Sequence, residues 1–206
     1  MMLGKEIKNV VFDFGGVVVD LNKDAAVSAF DALGFKASDY IDNCKQGGVF
    51  AALETGEMSR EEFCARVCRL TGRRLSEQDV CNAWNKMLTG IPAHRLKLIR
   101  SLRERYDTFM LSNTNSIHWD YACGTLLAGR DIKMEDCFKR IFLSFEMHLA
   151  KPNPQIFRVM LDEARLKAAE TLFIDDSESN CRAAETAGIH AFLSQRPDDW
   201  TNLFRQ

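Results

Sequence analysis

The sequence predicts an α/β fold, a doubly wound parallel sheet with a small all-helical cap inserted after the first strand, and three observations predict it. An apolar, β-branched run, Ile7-Lys8-Asn9-Val10-Val11-Phe12-Asp13-Phe14, stops at Gly15-Gly16, as a buried strand ending in a loop does. From Asn22 to about Gly90 the apolar residues follow helical spacing: Ala25, Val27, Phe30 and Leu33, then Phe63, Val67 and Leu70, then Val80, Trp84 and Met87. After Pro92, strand and helix signals alternate, which favours a parallel sheet with helical crossovers.

In order along the chain, breaks at Gly34, Gly47-Gly48 and Gly72 divide the helical region. Ser59-Arg60-Glu61-Glu62 opens one of its helices with a capping box. A helix through Leu96, Leu98, Ile99 and Leu102 precedes the strand Thr108 to Ser112, and further strands are expected at 140–144, 171–174 and 191–193. Helices at 154–166 and 179–187 separate the last three, with Asn153 as N-cap and Pro154 at the first helical position. Residues 1–19 and 91–206 are thus expected to form the core and residues 20–90 the cap. Phe50, beside Gly47-Gly48, is a candidate both for the cap core and for a pocket lining.

Length and composition restrict the functional classes. The 206 residues suit one domain with an elaboration, and 46% hydrophobic content suits a full core. Twenty-seven basic against twenty-nine acidic residues give a net charge of −2 without a basic run, so no nucleic-acid partner is expected. Neither a signal-peptide core nor a bilayer-spanning stretch appears, so no membrane partner and a soluble, cytoplasmic protein are expected, monomeric or weakly dimeric. Seven cysteines (Cys44, Cys64, Cys68, Cys81, Cys123, Cys137, Cys181) are odd in number and irregular in spacing, which argues against a disulfide framework or a zinc site. Cys64 and Cys68, four apart on one helix face, read as small buried hydrophobes.

Open α/β sheets bind ligands beyond the carboxyl ends of their strands. Four such positions carry chemistry here: Asp13; Ser112-Asn113-Thr114-Asn115; Lys151-Pro152; and Asp175-Asp176-Ser177. Together they supply a carboxylate nucleophile, hydroxyl and amide donors, a cation and an acidic pair suited to a metal. A phosphomonoester dianion repels a carboxylate, so Asp13 would attack phosphorus only where a divalent cation and a lysine neutralise the phosphoryl oxygens. Mg²⁺, which favours oxygen ligands with few from protein, fits Asp13, the Gly15 carbonyl, Asp175 and Asp176.

Val11-Phe12-Asp13-Phe14-Gly15-Gly16-Val17-Val18, Leu111-Ser112-Asn113-Thr114-Asn115, Lys151-Pro152 and Phe173-Ile174-Asp175-Asp176 resemble the four ordered motifs of the haloacid dehalogenase superfamily. The segment between the first two motifs is similar to the caps of its helical-cap subclass, and the Asp-x-Gly first motif to that of its sugar-phosphate phosphatases. The resemblance implies a Rossmann-like core and Mg²⁺-dependent hydrolysis of a small phosphorylated metabolite through an aspartyl-phosphate. It implies Asp13, Ser112 and Lys151 as catalytic, Asn113, Thr114 and Asn115 as substrate-binding, and Asp176 as the direct metal ligand, with Asp175 adjacent or water-linked.

One departure stands out. Phosphatases of this superfamily usually carry a second Asp two residues after the nucleophile as general acid and base, and here that position is Gly15. A leaving group of low pKa would need no acid; Asp20, His118 or Glu54 would replace it; or phosphates would bind without turnover. Metal-independent dehalogenation and phosphonate cleavage through a cap lysine, Lys45, are the other enzymatic readings.

Overall fold

The computed structural model describes residues 4, 6–40 and 48–205, so Lys45, Cys44 and Gly47 lie outside the described residues. Its centre is a five-stranded parallel sheet in the order β5-β4-β1-β6-β7, with β1 at Asn9–Phe12, β4 at Asp107–Ser112, β5 at Arg140–Leu143, β6 at Thr171–Asp175 and β7 at His190–Leu193. All four residues of β1 are buried, because helices cover both faces of the sheet. Val10 and Phe12 pack on one face with Leu96 and Ile99 of helix α5 (Ala93–Leu102), whereas Val11 packs on the other with Ile156, Phe157 and Met160 of helix α9 (Pro154–Ala164). This alternation is the period of two of an extended chain.

Between β1 and β4 the chain leaves the sheet. It forms helices α1 (Lys23–Ala32), α2 (Gly48–Glu54), α3 (Arg60–Thr71) and α4 (Glu77–Asn85), which close around Phe30, Phe50, Phe63 and Trp84. Phe50 lies 4.5 Å from Trp84 and 5.5 Å from Phe30, ring centroid to centroid, and is wholly buried. It is therefore a core residue of the helical layer and is not part of the lining of the cavity beside Asp13. Ser59 and Ser76 each make a reciprocal capping box, and Gly72 ends α3 at φ +65. The expectation of an insertion without strands needs amending: β2 (Asp20–Leu21) pairs antiparallel with β3 (Leu88–Gly90), so a short ribbon ties the entry of the insertion to its exit. Cys64 and Cys81 are both buried, with sulfurs 4.0 Å apart between α3 and α4.

The remaining helices are α6 (Ser116–Tyr121), α7 (Met134–Cys137), α8 (Ser144–Met147) and α10 (Glu178–Thr186). Asn153 caps α9 with Pro154 in its first turn. Among the described residues no helix is long and apolar enough to cross a membrane. From β1 the sheet grows one way through β4 and β5 and the other way through β6 and β7, so β1 marks the topological switch point.

Candidate active site

Phe12, the last residue of β1, is in register with Met110 on β4 and Ile174 on β6. The next residues, Asp13 and Asp175, therefore emerge side by side at the carboxyl edge, and the Asp13 N–H donates to the Ile174 carbonyl at 2.8 Å. Lys151, on the loop before α9, reaches between them: its Nζ lies 2.8 Å from Asp13 Oδ1 and 2.6 Å from Asp175 Oδ2, and donates to the Leu111 carbonyl at 2.9 Å. Asp13, Asp175 and Asp176 bring carboxylate oxygens within 4.8 Å of one another. Four distant motifs thus meet, including all three acidic residues predicted from the sequence.

The first turn after β1 allows that meeting. Val18 and Val19 both donate to the Phe14 carbonyl, and Gly16 donates back to the Val19 carbonyl, each at 2.9 Å. Gly16 has φ +72, and a Cβ there would come within 2.2 Å of Asp176 Oδ2. A side chain at 16 would occupy the place of Asp176, the second acid of the fourth motif. At Gly15 a Cβ would lie 3.1 Å from Leu21 Cδ1, so the direction in which a residue 15 side chain would start is filled by an apolar methyl.

The segment after β4 divides the predicted donors. Asn113 accepts from the Lys151 N–H and donates to the Lys151 carbonyl, both at 2.8 Å, a reciprocal pair that fixes the lysine's backbone. The Thr114 N–H donates to Ser144 Oγ at 2.9 Å. Ser112 is fully buried, its hydroxyl donating to the Asn113 carbonyl at 3.3 Å. Asn115 is also fully buried and caps α6 by accepting from the His118 N–H at 3.0 Å. Asn113 and Thr114 line the cavity beside Asp13, while Ser112 and Asn115 sit out of that lining.

Two supports escaped sequence reasoning. Asn180, in the first turn of α10, donates to both oxygens of Asp175 at 3.0 and 3.1 Å, and the Ser177 N–H donates to its Oδ1 at 2.8 Å. With Lys151 these saturate the wholly buried Asp175 carboxylate. The spacing of five residues from Asp175 to Asn180 was visible but carries no signature by itself. Ser144, which opens α8 directly after β5, lies 30 residues from Thr114 and gave no sequence signal.

Charge is unevenly compensated. Three carboxylates share one buried ammonium, which is held in its charged form by Asp13 and Asp175 against the cost of burial. Burial raises the Asp13 carboxyl well above the usual range; Lys151 opposes this, and Asp175 and Asp176 reinforce it. Asp176 reaches solvent, yet the protein packed around it raises it too, with Asp175 adding to the effect. A cavity of about 550 Å³ opens above this cluster, lined by Asp13, Gly15, Lys151 and Asp176 from the sheet side and by Glu54 and Met87 from the insertion. Burial pushes Glu54 up to about 7 and His118 down to about 4. Such a cavity holds a small anionic ligand against a lysine and beside a carboxylate nest fit for a hard cation.

Comparison with known proteins identifies the family. A family profile for haloacid dehalogenase-like hydrolases matches residues 7–188. The chain is 35% identical over 195 residues to a D-ribitol-5-phosphate phosphatase of Bacteroides thetaiotaomicron, covering 94% of this chain and 95% of that protein. It superposes with TM-score 0.93 and 36% identity on an aspartate-to-alanine variant of a haloacid dehalogenase family enzyme from the same organism, solved with magnesium and inorganic phosphate, over 97% of this chain and all of that one. A haloacid dehalogenase-like hydrolase from Porphyromonas gingivalis superposes with TM-score 0.89 at 34% identity, over 98% and 99% of the two chains. With the profile spanning nearly the whole sheet and its insertion, the chain belongs to the haloacid dehalogenase-like hydrolases.

Proposed function

We propose that this chain is a Mg²⁺-dependent phosphatase of small phosphomonoesters, sugar and polyol phosphates first, in which Asp13 becomes transiently phosphorylated. The observation that carries the reading is the convergence of Asp13, Lys151 and Asp176 on one cavity at the switch point of the sheet. Residues 20–90 act as a cap over a core formed by 1–19 and 91–206. The relative that acts on D-ribitol 5-phosphate and the neighbour holding magnesium and phosphate support the same assignment.

The residues fit the metal. Three carboxylate oxygens, from Asp13, Asp175 and Asp176, lie close together beside the Lys151 ammonium, a set of hard oxygen donors suited to Mg²⁺. Asp13, the Gly15 carbonyl and Asp176 would hold Mg²⁺ directly, with Asp175, already saturated by Lys151, Asn180 and the Ser177 N–H, behind them. Bound there, the ion would neutralise the carboxylates and the phosphoryl oxygens.

Asp13 attacks phosphorus and expels the alcohol, and water then releases phosphate from the aspartyl-phosphate. Lys151 binds the phosphoryl group as a fixed positive charge, positioned by Asn113 through both backbone polar atoms of the lysine. Ser112, Thr114 and Asn115 complete the phosphate-binding segment, Thr114 from the cavity wall and the other two from beneath it.

The test is a phosphoester panel, D-ribitol 5-phosphate included, with purified protein. Expected are turnover that requires Mg²⁺ and its loss in Asp13→Asn. Turnover that survives chelation, or equal activity in Asp13→Asn, would overturn the proposal.

A further inference from the structure

An alkyl phosphate loses its alcohol slowly unless a proton reaches the departing oxygen, and a positioned acid contributes roughly 10²- to 10⁴-fold. Gly15 has no side chain, and Leu21 packs where one would begin. Asp20 is paired with Arg95 at 2.8 Å and lines a different cleft. His118 uses both ring nitrogens, Nε2 on the Trp84 carbonyl at 3.1 Å and Nδ1 toward Asn115 Nδ2 at 3.4 Å. Glu54 differs from both.

Glu54 ends α2 and lines the same cavity as Asp13 and Lys151. The turn that carries it is fastened to the core. Ser144 Oγ donates to the Glu54 carbonyl at 2.7 Å while accepting from the Thr114 N–H, and His148 Nδ1 meets the Thr55 carbonyl at 3.0 Å. Gly56 follows at φ +68, and a Cβ there would come 2.2 Å from the Phe145 carbonyl oxygen, so glycine permits this close approach.

We infer that Glu54, held over the cavity by the docked turn 54–56, is the acid that protonates the leaving oxygen and the base that then activates water. The inference rests on the phosphatase reading. Burial sets its carboxyl at about 7 against the opposing pull of Lys151 and Lys23, so both protonation states are populated at neutral pH. The other titratable groups around it are Asp13, His118 and Asp176 on the cavity wall and His148 on the neighbouring carbonyl.

In the first step an Asp13 oxygen forms a bond to phosphorus and the bond from phosphorus to the ester oxygen breaks. The electron pair stays on that oxygen, which takes the Glu54 proton and leaves as the alcohol. In the second step the Glu54 carboxylate takes one proton from water. The water oxygen bonds to phosphorus, the bond to Asp13 breaks with its electrons returning to the carboxylate, and phosphate departs with Glu54 protonated again.

The test compares wild type, Glu54→Gln and Asp13→Asn in saturating Mg²⁺ on D-ribitol 5-phosphate and on 4-nitrophenyl phosphate, whose leaving group needs no proton. Glu54→Gln should lose roughly 10²- to 10⁴-fold in kcat/KM on the alkyl ester, with less than about tenfold loss on the aryl ester. With the aryl ester its kcat should fall and a burst of nitrophenol appear, because the aspartyl-phosphate now waits for its base. In wild type kcat/KM on the alkyl ester should decline above pH 7, a limb absent from the variant. Equal losses on both esters, or a wild type without that limb, would overturn the inference. Should Glu54→Gln not fold, a leaving-group series on wild type decides: a shallow dependence of kcat/KM on leaving-group pKa supports the acid, a steep one refutes it. Wild type inactive on both esters would sink the phosphatase reading itself, whereas activity that needs Asp13 but not Glu54 would sink this inference alone.

Discussion

Replacing His118 with phenylalanine tests the claim that this histidine is locked neutral and holds no proton for catalysis. Its ring stacks on Trp84 with centroids 4.5 Å apart, and the Trp84 carbonyl accepts from Nε2, which places the single ring proton there. Nδ1 then accepts from the Asn115 amide, whose oxygen is already occupied by the His118 N–H. A second proton on Nδ1 would face another donor. Burial lowers the folded pKa to about 4, opposed by the bond to Trp84, while the unfolded chain titrates near the ordinary 6.5. The folded value is depressed, so the stabilisation is complete above pH 6.5 and is lost as pH falls toward 4, because the unfolded chain takes up the proton first. Between pH 7 and pH 5 the loss is about 2 kcal/mol. Phenylalanine keeps the stacking but strands the Trp84 carbonyl and the Asn115 amide, at a cost of about 1–3 kcal/mol that does not depend on pH. Urea unfolding of both proteins at the two pH values gives the difference, in which the titrations of Asp13, Glu54 and Asp176 largely cancel. Wild type should be the more stable at pH 7, with its advantage reduced by about 2 kcal/mol at pH 5. A difference that stays constant would refute the neutral, doubly bonded histidine.

Two further outcomes follow from the nest of carboxylates. Gly16→Ala places a Cβ within 2.2 Å of Asp176 Oδ2 at a left-handed position, and half-maximal activity should then need roughly 10- to 100-fold more Mg²⁺; an unchanged requirement would count against Asp176 as a ligand. Lys151→Met leaves Asp13 and Asp175 without the buried ammonium between them; it should lose activity and about 3–5 kcal/mol of stability in chelator. Mg²⁺ should return part of that stability, as should a fall in pH that protonates the carboxylates, and a variant as stable in chelator as wild type would refute the charge argument.

The sheet was legible because each central strand is covered on both faces and reads as a short apolar run with a polar stop. Asp13 follows β1 directly, and Asp175 closes β6. The strand β2 has two residues and β3 three, too few for any periodicity to register, so the ribbon was not foreseen. Phe50 sits beside a glycine pair, a local cue for a loop, but the aromatic cluster of α1, α3 and α4 captures it. Asn113 stands at a strand end, where sequence shows a hydrogen-bonding side chain but not its reciprocal bonds with the backbone of Lys151, 38 residues away. Ser144 is harder still, since its bonds to Glu54 and Thr114 span 90 and 30 residues. Side-chain type and local spacing reveal which groups can do chemistry; which partner orients them depends on long-range packing.

The position of the acid has a consequence for the order of events. A carboxyl at position 15 would ride on the rigid turn after β1, next to Asp13, and would be present whether or not the cap covered the site. Glu54 comes instead from the helical insertion, and the hydroxyl that fastens its carbonyl is the same one that receives the Thr114 N–H just after β4. The Ser144 hydroxyl has one proton and two carbonyl oxygens within reach, Glu54 at 2.7 Å and Thr114 at 3.0 Å, and the docked turn offers the shorter bond. If Glu54 is the acid, a state with this turn undocked would lack the proton donor and would keep a core that binds phosphate but expels an alkoxide slowly. On that assignment water exclusion and acid catalysis are coupled through the docking of the 54–56 turn on Ser144 and His148.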